Sequence, residues 1–462
     1  MTQLAARRLR RLVLVVAVVL FGGGCTAGAI AWNPPIRPIA APAPASFPAA
    51  TVAQGATLAA IGDCAVCHTA AHGAPFAGGR PIPTPFGTIY ATNITPDPTT
   101  GIGHWSLAAF RRALRHGIDR RGEHLYPALP YTHFTHATDA DIAALYAFLM
   151  TRRPVHAVAP ANRLPFPLDW RPLLAGWNLL YLHPGVWRPD PAQSAEWNRG
   201  AYLVQALGHC GACHTPRNGL GAEETGQALA GGKAEGWYAP PLQAGSPAPH
   251  KWTVAELTTY LRTGVDRAHG AAAGPMRQVT DELATVPAAD LHAIAVYIAT
   301  LMPPAPPTVP PRPAPVADSS ATAIFAGACG ACHAADAPMT RDGAPSLARS
   351  TAVNATTPRN VIAIILHGLP WRDGHAGPYM PGFADALTNA QVAAIAAYVR
   401  AHYTDRPPWP HLPAAVRAAR HDQALHAASR SQAMRAASRD PAVRAASRDQ
   451  IVRAASRDGD RT

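Results

Sequence analysis

A five-residue pattern, Cys-x-x-Cys-His, occurs three times in this sequence, and its residues are the ones best suited to do chemistry. The copies are Cys64-Ala65-Val66-Cys67-His68, Cys210-Gly211-Ala212-Cys213-His214 and Cys329-Gly330-Ala331-Cys332-His333. Two intervening residues place both thiols on one short helical turn, and the pattern is the attachment signature of c-type haem. We therefore predict that both cysteines of each copy bind a porphyrin through thioether bonds and that each histidine ligates an iron.

A zinc site, a disulfide or a thioredoxin-like redox pair would use similar residues. Tetrahedral zinc needs further ligands from a second Cys/His pair nearby, but the copies lie 146 and 119 residues apart. Six of the seven cysteines belong to the three copies, and each copy has its histidine in place. The repetition predicts three covalently bound haem c groups.

A haem iron has a second axial position, which a methionine thioether fills in His/Met cytochromes and thereby raises the reduction potential. Met276 stands 66 residues after Cys210, and Met380 stands 51 residues after Cys329. Each lies in a loop just before a predicted helix. Both are therefore predicted iron ligands.

The first copy departs from this pattern. At the matching offset, 65 residues after Cys64, stands Leu129, and leucine cannot ligate iron. Either a histidine takes the position or the iron is left five-coordinate, and the sequence leaves both alternatives open. Met150 is discounted because it falls within a predicted helix on a core-facing side. The histidines near this point of the chain are His124, His133 and His136.

Helices must position these residues, because the same signals surround each copy. A short apolar segment leads into the motif, a Gly/Pro-rich region follows, and a helix with apolar residues at helical spacing closes the unit. Thr138 and Thr388 are predicted N-caps of closing helices. The predicted fold class is all-α, with three tandem domains joined by Pro-rich linkers. The closing helices carry an aromatic residue at the same position, namely Phe148, Tyr297 and Tyr398.

Length and composition fit several small domains, because 48% of the 462 residues are hydrophobic and the 48 prolines indicate stiff connectors. The Trp-rich connector is predicted to pack on the domains, and a surface for a partner protein or a membrane is the alternative. The predicted divisions are a signal peptide or membrane anchor (1–32), a linker (33–50), domain one (51–155), the connector (156–194), domain two (195–302), a Pro-rich linker (303–316), domain three (317–404) and a repetitive disordered tail (405–462).

The formal charge of +12 does not indicate nucleic-acid binding, because it is concentrated at the two ends of the chain. Residues 1–31 carry four arginines and no acid. Residues 404–462 carry eleven arginines and six aspartates, which leaves +3 for everything between. The motif-bearing part of the chain is thus close to neutral.

The sequences at the two ends of the chain lead to different predictions. Four arginines precede an apolar run from Leu12 to Leu20, which indicates a cleaved secretory signal or an uncleaved anchor. Either one exports the remaining chain, which suits thioether bonds made outside the cytoplasm. Cys25 is a poor lipoprotein acceptor because three glycines precede it. In the tail, Ala-Ala-Ser-Arg recurs every nine residues from 427, which predicts a disordered extension, with weak binding to anionic lipid as the alternative.

Several stretches outside the motifs resemble a known family. They are Thr84-Pro85-Phe86-Gly87-Thr88-Ile89-Tyr90, Thr92-Asn93-Ile94-Thr95-Pro96-Asp97, Gly208-His209-Cys210 through Cys213-His214-Thr215-Pro216-Arg217-Asn218, and Met380-Pro381-Gly382-Phe383. Residues 50–403 resemble the three-haem cytochrome c subunit of membrane-associated bacterial dehydrogenases, the group typified by the alcohol dehydrogenase cytochrome subunit of acetic acid bacteria. In that family the segment around Leu129 usually reads Pro-Ala-Met-Pro, so this chain departs from it there.

The resemblance implies three class I cytochrome c domains on the periplasmic face of the inner membrane. They would take electrons from a dehydrogenase catalytic subunit, acting on alcohol or aldehyde donors, and deliver them to ubiquinone or a terminal oxidase. Substrate oxidation would belong to that partner, so no catalytic residue is predicted in this chain. The alternatives are a peroxidase-like haem enzyme or ligand-binding cytochrome using an open site at the first haem, and an oxidase-associated cytochrome.

Overall fold

The computed structural model describes residue 28 and residues 31–302, 319–334, 337, 345–369 and 379–422. We call 49–150 unit one, 195–302 unit two and 319–422 unit three, and each contains one Cys-x-x-Cys-His motif. The helix that leads into a motif is the entry helix of its unit. The residue at the predicted second axial position of the iron (Leu129, Met276 or Met380) is the sixth-position residue of its unit. The long helix that follows it is the closing helix.

Each unit is built mainly from short helices around its motif. The helices of unit one are Ala49–Ile61 (entry), Cys64–His68, Leu107–His116, Tyr131–Phe134 and Asp139–Met150 (closing). Those of unit two are Ala195–Tyr202 (entry), Gly211–His214, Val254–Thr263, Pro275–Leu283 and Ala288–Leu301 (closing). Those of unit three are Ser319–Ile324 (entry), Gly330–His333, Thr351–Asn354, Arg359–His367 and Asn389–Tyr403 (closing). Wider π-turns, Leu203–Leu207 and Phe325–Cys329, join the second and third entry helices to their motifs.

The closing helices form where the periodicity predicts them. The Thr138 hydroxyl accepts a hydrogen bond from the Asp141 N–H, as an N-cap does. Thr388 and Gln391 form a reciprocal capping box at the start of the third closing helix. Both predicted N-caps are therefore confirmed.

The prediction of an all-α fold holds for the helices but omits three short antiparallel hairpins. They pair Pro81–Thr84 with Gly87–Tyr90, Gly232–Ala234 with Trp237–Ala239, and Val265–Asp266 with Gly270–Ala271. In the second hairpin the turn residues Glu235 and Gly236 both have positive φ, of 46° and 83°. Positive φ at both turn residues matches the right-handed twist of two-residue hairpins.

The entry and closing helices of unit one cross at Gly55, where a missing side chain lets the two backbones touch. A Cβ at Gly55 would overlap the Ala144 carbonyl oxygen and lie 2.7 Å from the Phe148 Cβ. Unit two repeats the crossing at Gly200, where a Cβ would lie 2.9 Å from the Tyr297 Cβ. The aromatic residue of each closing helix therefore packs directly on the entry helix.

Units one and two share one hydrophobic core, whereas unit three has its own. The shared cluster of buried residues extends from Leu58 to Met302, and the second extends from Phe325 to Val416. Across the first junction, the Tyr202 hydroxyl donates to the Asp141 carboxylate at 2.5 Å, and both side chains are buried. The domains predicted at 51–155 and 195–302 are thus joined through their interiors.

The predicted linker and connector both lie against unit one. Residues 33–50 are held by the Ile36 N–H, which donates to the Arg120 carbonyl at 2.9 Å. The connector, which contains the helix Leu173–Tyr181, pairs with the first hairpin through Thr88 and Arg163, at 3.0 and 2.8 Å. It nevertheless leaves large apolar side chains in solvent, namely Phe166, Trp170, Leu173, Leu179 and Leu180.

The start predicted for the disordered tail, at residue 405, is wrong. Trp409 and Val416 are buried in the core of unit three, and residues 412–422 are helical. The buried Arg400 guanidinium lies 4.5 Å from the Trp409 ring and donates to the Pro407 carbonyl. A single tryptophan docked on a neighbouring helix therefore orders a segment whose composition alone could not fold.

Three predicted segments fall wholly or mostly outside the described residues. These are the signal or anchor (1–32, of which 28, 31 and 32 are described), the Pro-rich linker (303–316) and the Ala-Ala-Ser-Arg repeats. Among the helices that the structure describes, none combines the length and the apolar character needed to cross a bilayer.

Candidate haem sites

Each motif forms a short helical turn that brings its two thiols and its imidazole to the end of an entry helix. In unit one the Nδ1 of His68 donates to the Thr92 carbonyl at 2.6 Å. In unit two the Nδ1 of His214 donates to the Pro240 carbonyl at 2.7 Å. A carbonyl acceptor on Nδ1 fixes the tautomer that leaves Nε2 free for a metal. Both imidazoles therefore have the tautomer and orientation that a metal ligand needs.

Burial lowers the pKa of His68, His214 and His333, so each imidazole is kept in the neutral form that binds metal. The third motif is tied to its closing helix by the Tyr403 hydroxyl, which donates to the His333 carbonyl at 3.0 Å. The three motifs thus present the same ligand in the same protonation state.

The surroundings of the cysteines in the first two motifs disfavour ionisation of a thiol. Burial raises the pKa of Cys64 and of Cys210 to about 12, and that of Cys67 and of Cys213 to about 11. Zinc ligands and nucleophilic redox cysteines need the thiolate. Protonated thiols held side by side on one turn suit addition to the porphyrin vinyl groups instead.

The second and third motifs open into one continuous, mainly apolar cavity of about 440 Å³. Met276 and Met380, the predicted sixth ligands, both line this cavity. The structure thus brings each methionine to the same space as the motif for which it was predicted. The motif residues that line the cavity are Cys210, Cys213, His214, Cys329, Cys332 and His333.

The cavity contains a buried polar group, the His269 imidazole, that could bind a haem propionate. His269 lines it, is 3% exposed, and stacks on the Trp252 ring with centroids 3.5 Å apart. Neither ring nitrogen of His269 forms a hydrogen bond with the described residues, and the Glu256 carboxylate lies 3.5 Å from its Nε2. A buried imidazole without a hydrogen bond is costly, and a haem propionate is a carboxylate that could accept one. The residues present therefore fit a haem in unit two.

The first two motifs meet where their entry helices end. The His209 Nε2 lies 3.3 Å from the Gly62 carbonyl oxygen, and Gly62 also lies beside the Leu207 carbonyl. Asp63, which precedes the first motif, is buried and raises the pKa of the Cys210 thiol. The order of the motifs along the chain is thus also their order in space: motif two neighbours motif one on one side and shares the cavity with motif three on the other.

The structure aligns Leu129 with the two methionines. The helices Leu107–His116, Val254–Thr263 and Arg359–His367 each end at a glycine with positive φ, and the sixth-position residue stands twelve residues after that glycine in every unit. In unit one Leu125 N–H donates to the Gly117 carbonyl at 2.7 Å. In unit two Ala272 N–H donates to the Gly264 carbonyl, also at 2.7 Å. Leu129 therefore occupies the place that Met276 occupies in unit two.

The three histidines near Leu129 have protein partners. His133 donates from Nδ1 to the Gln205 carbonyl at 2.8 Å and from Nε2 to the Glu223 carboxylate at 2.9 Å. His124 lies within 3.3–3.4 Å of two side-chain amides, those of Asn33 and Asn178. His136 donates from Nδ1 to a connector carbonyl, that of Gly185, at 2.7 Å. Met150 is buried in the core at the last position of the closing helix, as predicted.

Sequence reasoning missed the residues that orient the ligands. The carbonyls of Thr92 and Pro240 carry no side-chain signal, and their role follows from the hairpins that precede them. Asp63 and His209 stand directly before the first two motifs, and both have positive φ, of 50° and 34°. The sequence shows that a polar residue precedes each of these motifs. It does not show that this residue lies between two units.

Two family descriptions match the chain. Residues 52–153 match "Cytochrome c", and residues 317–399 match "Cytochrome C oxidase, cbb3-type, subunit III". The first covers the motif of unit one, and the second covers the motif of unit three.

Curated relatives match over most of the chain. A nicotinate dehydrogenase subunit of Pseudomonas putida is 47% identical over 411 residues, which is 87% of this chain and 34% of that protein. The fructose dehydrogenase cytochrome subunit of Gluconobacter japonicus is 38% identical over 397 residues, 78% of this chain and 81% of that protein. The alcohol dehydrogenase (quinone) cytochrome c subunit of Gluconacetobacter polyoxogenes is 37% identical over 398 residues, 78% and 82%. This chain spans about a third of the first relative's length and about four-fifths of the other two.

Proposed function

Because the chain belongs to the family of cytochrome c subunits of dehydrogenases, we propose that it carries three haem c groups. In this proposal it passes electrons one at a time from a dehydrogenase catalytic subunit to ubiquinone or a terminal oxidase. The haems supply reversible one-electron oxidation and reduction of iron, and the protein supplies ligands, burial and spacing. No side chain of this chain is asked to make or break a bond in the substrate.

The cavity shared by motifs two and three is the observation that carries the proposal. The two proposed ligand pairs, His214 with Met276 and His333 with Met380, all line this mainly apolar space. Two haems bound there would share one apolar space, which suits electron exchange between them. A zinc or disulfide role would need no such space.

The proposed ligands act by being held in place. The carbonyls of Thr92 and Pro240 fix the imidazoles of His68 and His214, and the six motif cysteines fix the porphyrin edge. Hydrogen bonding of a ligand histidine through its other nitrogen raises its basicity as well as fixing its orientation. The carbonyls at these two motifs would therefore hold each imidazole in one orientation towards a bound iron.

Association with the periplasmic face of the inner membrane is supported by the connector. Phe166, Trp170, Leu179 and Leu180 are 57–84% exposed, and Trp32 is 70% exposed. Asn33 and Asn178 both hydrogen bond to His124, so the entry of the chain from its N-terminal segment lies beside the connector helix. Aromatic and leucine side chains of this kind favour the headgroup region of a bilayer. The apolar surface and the N-terminal apolar run therefore point to the same membrane.

The proposal is tested on the full chain, exported and matured with haem. We expect an intact mass with three added porphyrins and a pyridine haemochrome of three haems per chain. The matched control is Cys329→Ser with Cys332→Ser, which should lower the count to two and leave the first two haems attached.

Electron flow is tested in membranes that contain the co-purified dehydrogenase. Adding that dehydrogenase's substrate should reduce the haems, and a ubiquinone analogue should reoxidise them. The double variant should slow reoxidation or reduction at least tenfold. A chain without haem, or three haems that no co-purifying dehydrogenase reduces, would refute the proposal.

A further inference from the structure

The geometry points to an open iron site in unit one. We infer that the iron held by His68 receives no sixth ligand from the described residues and binds small neutral diatomic molecules, of the carbon monoxide and nitric oxide class. This inference rests on the proposed function, since it needs a haem at the first motif. It goes further by giving that haem a ligand-binding property that the other two lack.

The first step is the register. Leu129 stands at the same distance from its helix-ending glycine as Met276 and Met380, and the backbone hydrogen bond that sets the loop is the same in units one and two. Leu129 is half-buried and packs against the shared core. An aliphatic side chain in the ligand position cannot donate electrons to iron, so the position is filled sterically but not chemically.

The second step is that neighbouring histidines are already bound. Both nitrogens of His133 are used by Gln205 and Glu223 of unit two. Its ring also lies against the second motif, because a Cβ at Gly211 would be 2.9 Å from the His133 Cε1. His133 therefore belongs to the junction with unit two. Moving it to the first iron would break its hydrogen bonds to the half-buried Glu223 carboxylate, which would keep only the Arg217 guanidinium at 3.5 Å.

Other donors in the same segment are also committed. The Tyr131 hydroxyl donates to Asn178 at 2.8 Å, and Tyr131 is fully buried. The Tyr126 hydroxyl donates to the Leu168 carbonyl at 3.1 Å. His124 is 5% exposed and bridges Asn33 and Asn178. These contacts hold the segment against the connector. Using one of these side chains as an iron ligand would break its contact and release the segment from the connector.

The two remaining described methionines are unavailable. Met150 is 2% exposed and Met302 is 6% exposed, and both belong to the shared hydrophobic core. Extracting either one would leave a cavity in that core, which is strongly destabilising for a side chain of this size. His136 donates from Nδ1 to the Gly185 carbonyl of the connector, and we infer that this contact holds its ring there, which leaves His68 as the axial ligand of the first iron.

The chemistry of Leu129 selects the class of external ligand. The polarity and hydrogen-bond donors of the distal pocket decide what a haem binds. An aliphatic side chain offers no donor to stabilise a bound anion or a peroxide. Neutral diatomic molecules need no such donor, so they are the favoured class.

The test uses the full haem-loaded chain and counts haems first. Reduced protein should take up one equivalent of carbon monoxide per three haems, and the oxidised protein should show one high-spin ferric signal and two low-spin signals by electron paramagnetic resonance. Leu129→Met should lower carbon monoxide uptake to less than a tenth of an equivalent. Leu129→Ile, which keeps an aliphatic group there, should retain one equivalent.

Met276→Leu provides the mirror control, because it should raise uptake to two equivalents by copying unit one in unit two. Three low-spin haems and no carbon monoxide uptake by the unaltered protein would overturn the inference and leave the proposed function standing. A haem count below three would instead refute the proposed function. The unaltered protein decides the question even if a variant fails to fold.

Discussion

Replacing Gly55 by alanine tests the helix crossing on which the first motif depends. The new Cβ would overlap the Ala144 carbonyl oxygen and lie 2.6 Å from the Ala144 carbonyl carbon and 2.7 Å from the Phe148 Cβ. Ordinary contacts of a Cβ are 3.4–4 Å. Because the obstacle is backbone, it cannot rotate away, and the two helices must separate.

The magnitude follows from two opposing terms. Overpacking of this kind costs about 3 kcal/mol or more, and alanine gains about 1 kcal/mol over glycine within a helix. We expect a net loss of about 2 kcal/mol in the free energy of unfolding. Units one and two unfold around a shared core, and for a body of that size each kcal/mol corresponds to about 2–4 °C. The midpoint of thermal unfolding should fall by ~4–8 °C. It is measured by far-ultraviolet circular dichroism of the haem-loaded protein.

Gly176→Ala is the matched control, because Gly176 lies in the connector helix and a Cβ there would meet no atom within 4 Å. This variant should leave the melting temperature unchanged or raise it slightly. Gly200→Ala should repeat the loss in unit two, since the crossing is the same. If the melting temperature of Gly55→Ala equals or exceeds that of the unaltered protein, or if Gly176→Ala is equally destabilising, the helix crossing does not depend on the missing side chain.

Two further predictions concern a buried acid and the end of unit three. Burial and Glu282 raise the pKa of Asp63 from 3.8 to about 7, although Arg80 acts to lower it. Because the folded state then holds the proton more tightly than the unfolded state, the free energy of unfolding should fall as the pH rises from about 4 to 7. The fall should be at most ~4 kcal/mol. Asp63→Asn should abolish that slope in urea titrations of the haem-loaded protein at several pH values, and an unchanged slope would contradict the assignment. Truncation after residue 404 removes Trp409 and Val416 from their core and should cost unit three at least ~3 kcal/mol, whereas truncation after residue 422 keeps every described contact. Equal melting curves for the two truncations would show that the segment adds nothing.

The motifs and the closing helices could be predicted because their signals are local. A Cys-x-x-Cys-His sequence fits on one turn, and the capping threonines Thr138 and Thr388 act within three residues of themselves. The recurrence of Met276 and Met380 before a closing helix is also visible in the sequence, although Met276 lies in the helix Pro275–Leu283 and not in the predicted loop. In each case the cause and the effect lie in the same short stretch.

The hairpins were missed because their sequences argue against strands. The first contains Pro81 and Pro83, and proline removes a ladder donor and weakens a strand prediction. A two-stranded hairpin tolerates this, since each strand has a free edge. The π-turns before motifs two and three were missed for another reason: they add width to a helix without changing its apolar pattern.

The fused core of units one and two could not be predicted from either unit alone. Asp141 looks like a typical acidic residue in the first turn of a helix, where it favours the helix dipole. In the structure it is buried and accepts hydrogen bonds from Gln54 at 2.7 Å and from Tyr202 at 2.5 Å. A partner that lies in another unit gives no signal within the segment itself.

The hairpins that follow the first two motifs show how one unit sets the ligand geometry of another. Tyr90 N–H donates to the Asn162 side chain at 2.9 Å, and Tyr238 N–H donates to the Asn360 side chain at 2.9 Å. Asn162 belongs to the connector and Asn360 to unit three, so each hairpin is completed by the segment that comes next.

The carbonyls that orient His68 and His214 stand two residues beyond these tyrosines. A shift of the downstream segment would move the acceptor of an iron-ligating imidazole, and with it the basicity of that ligand. If these imidazoles ligate iron as we propose, the reduction potential at a motif would depend on an element far along the chain. For the first haem that element is the connector, whose exposed apolar face we propose to lie on the membrane, so membrane contact and the potential of the first haem should be coupled.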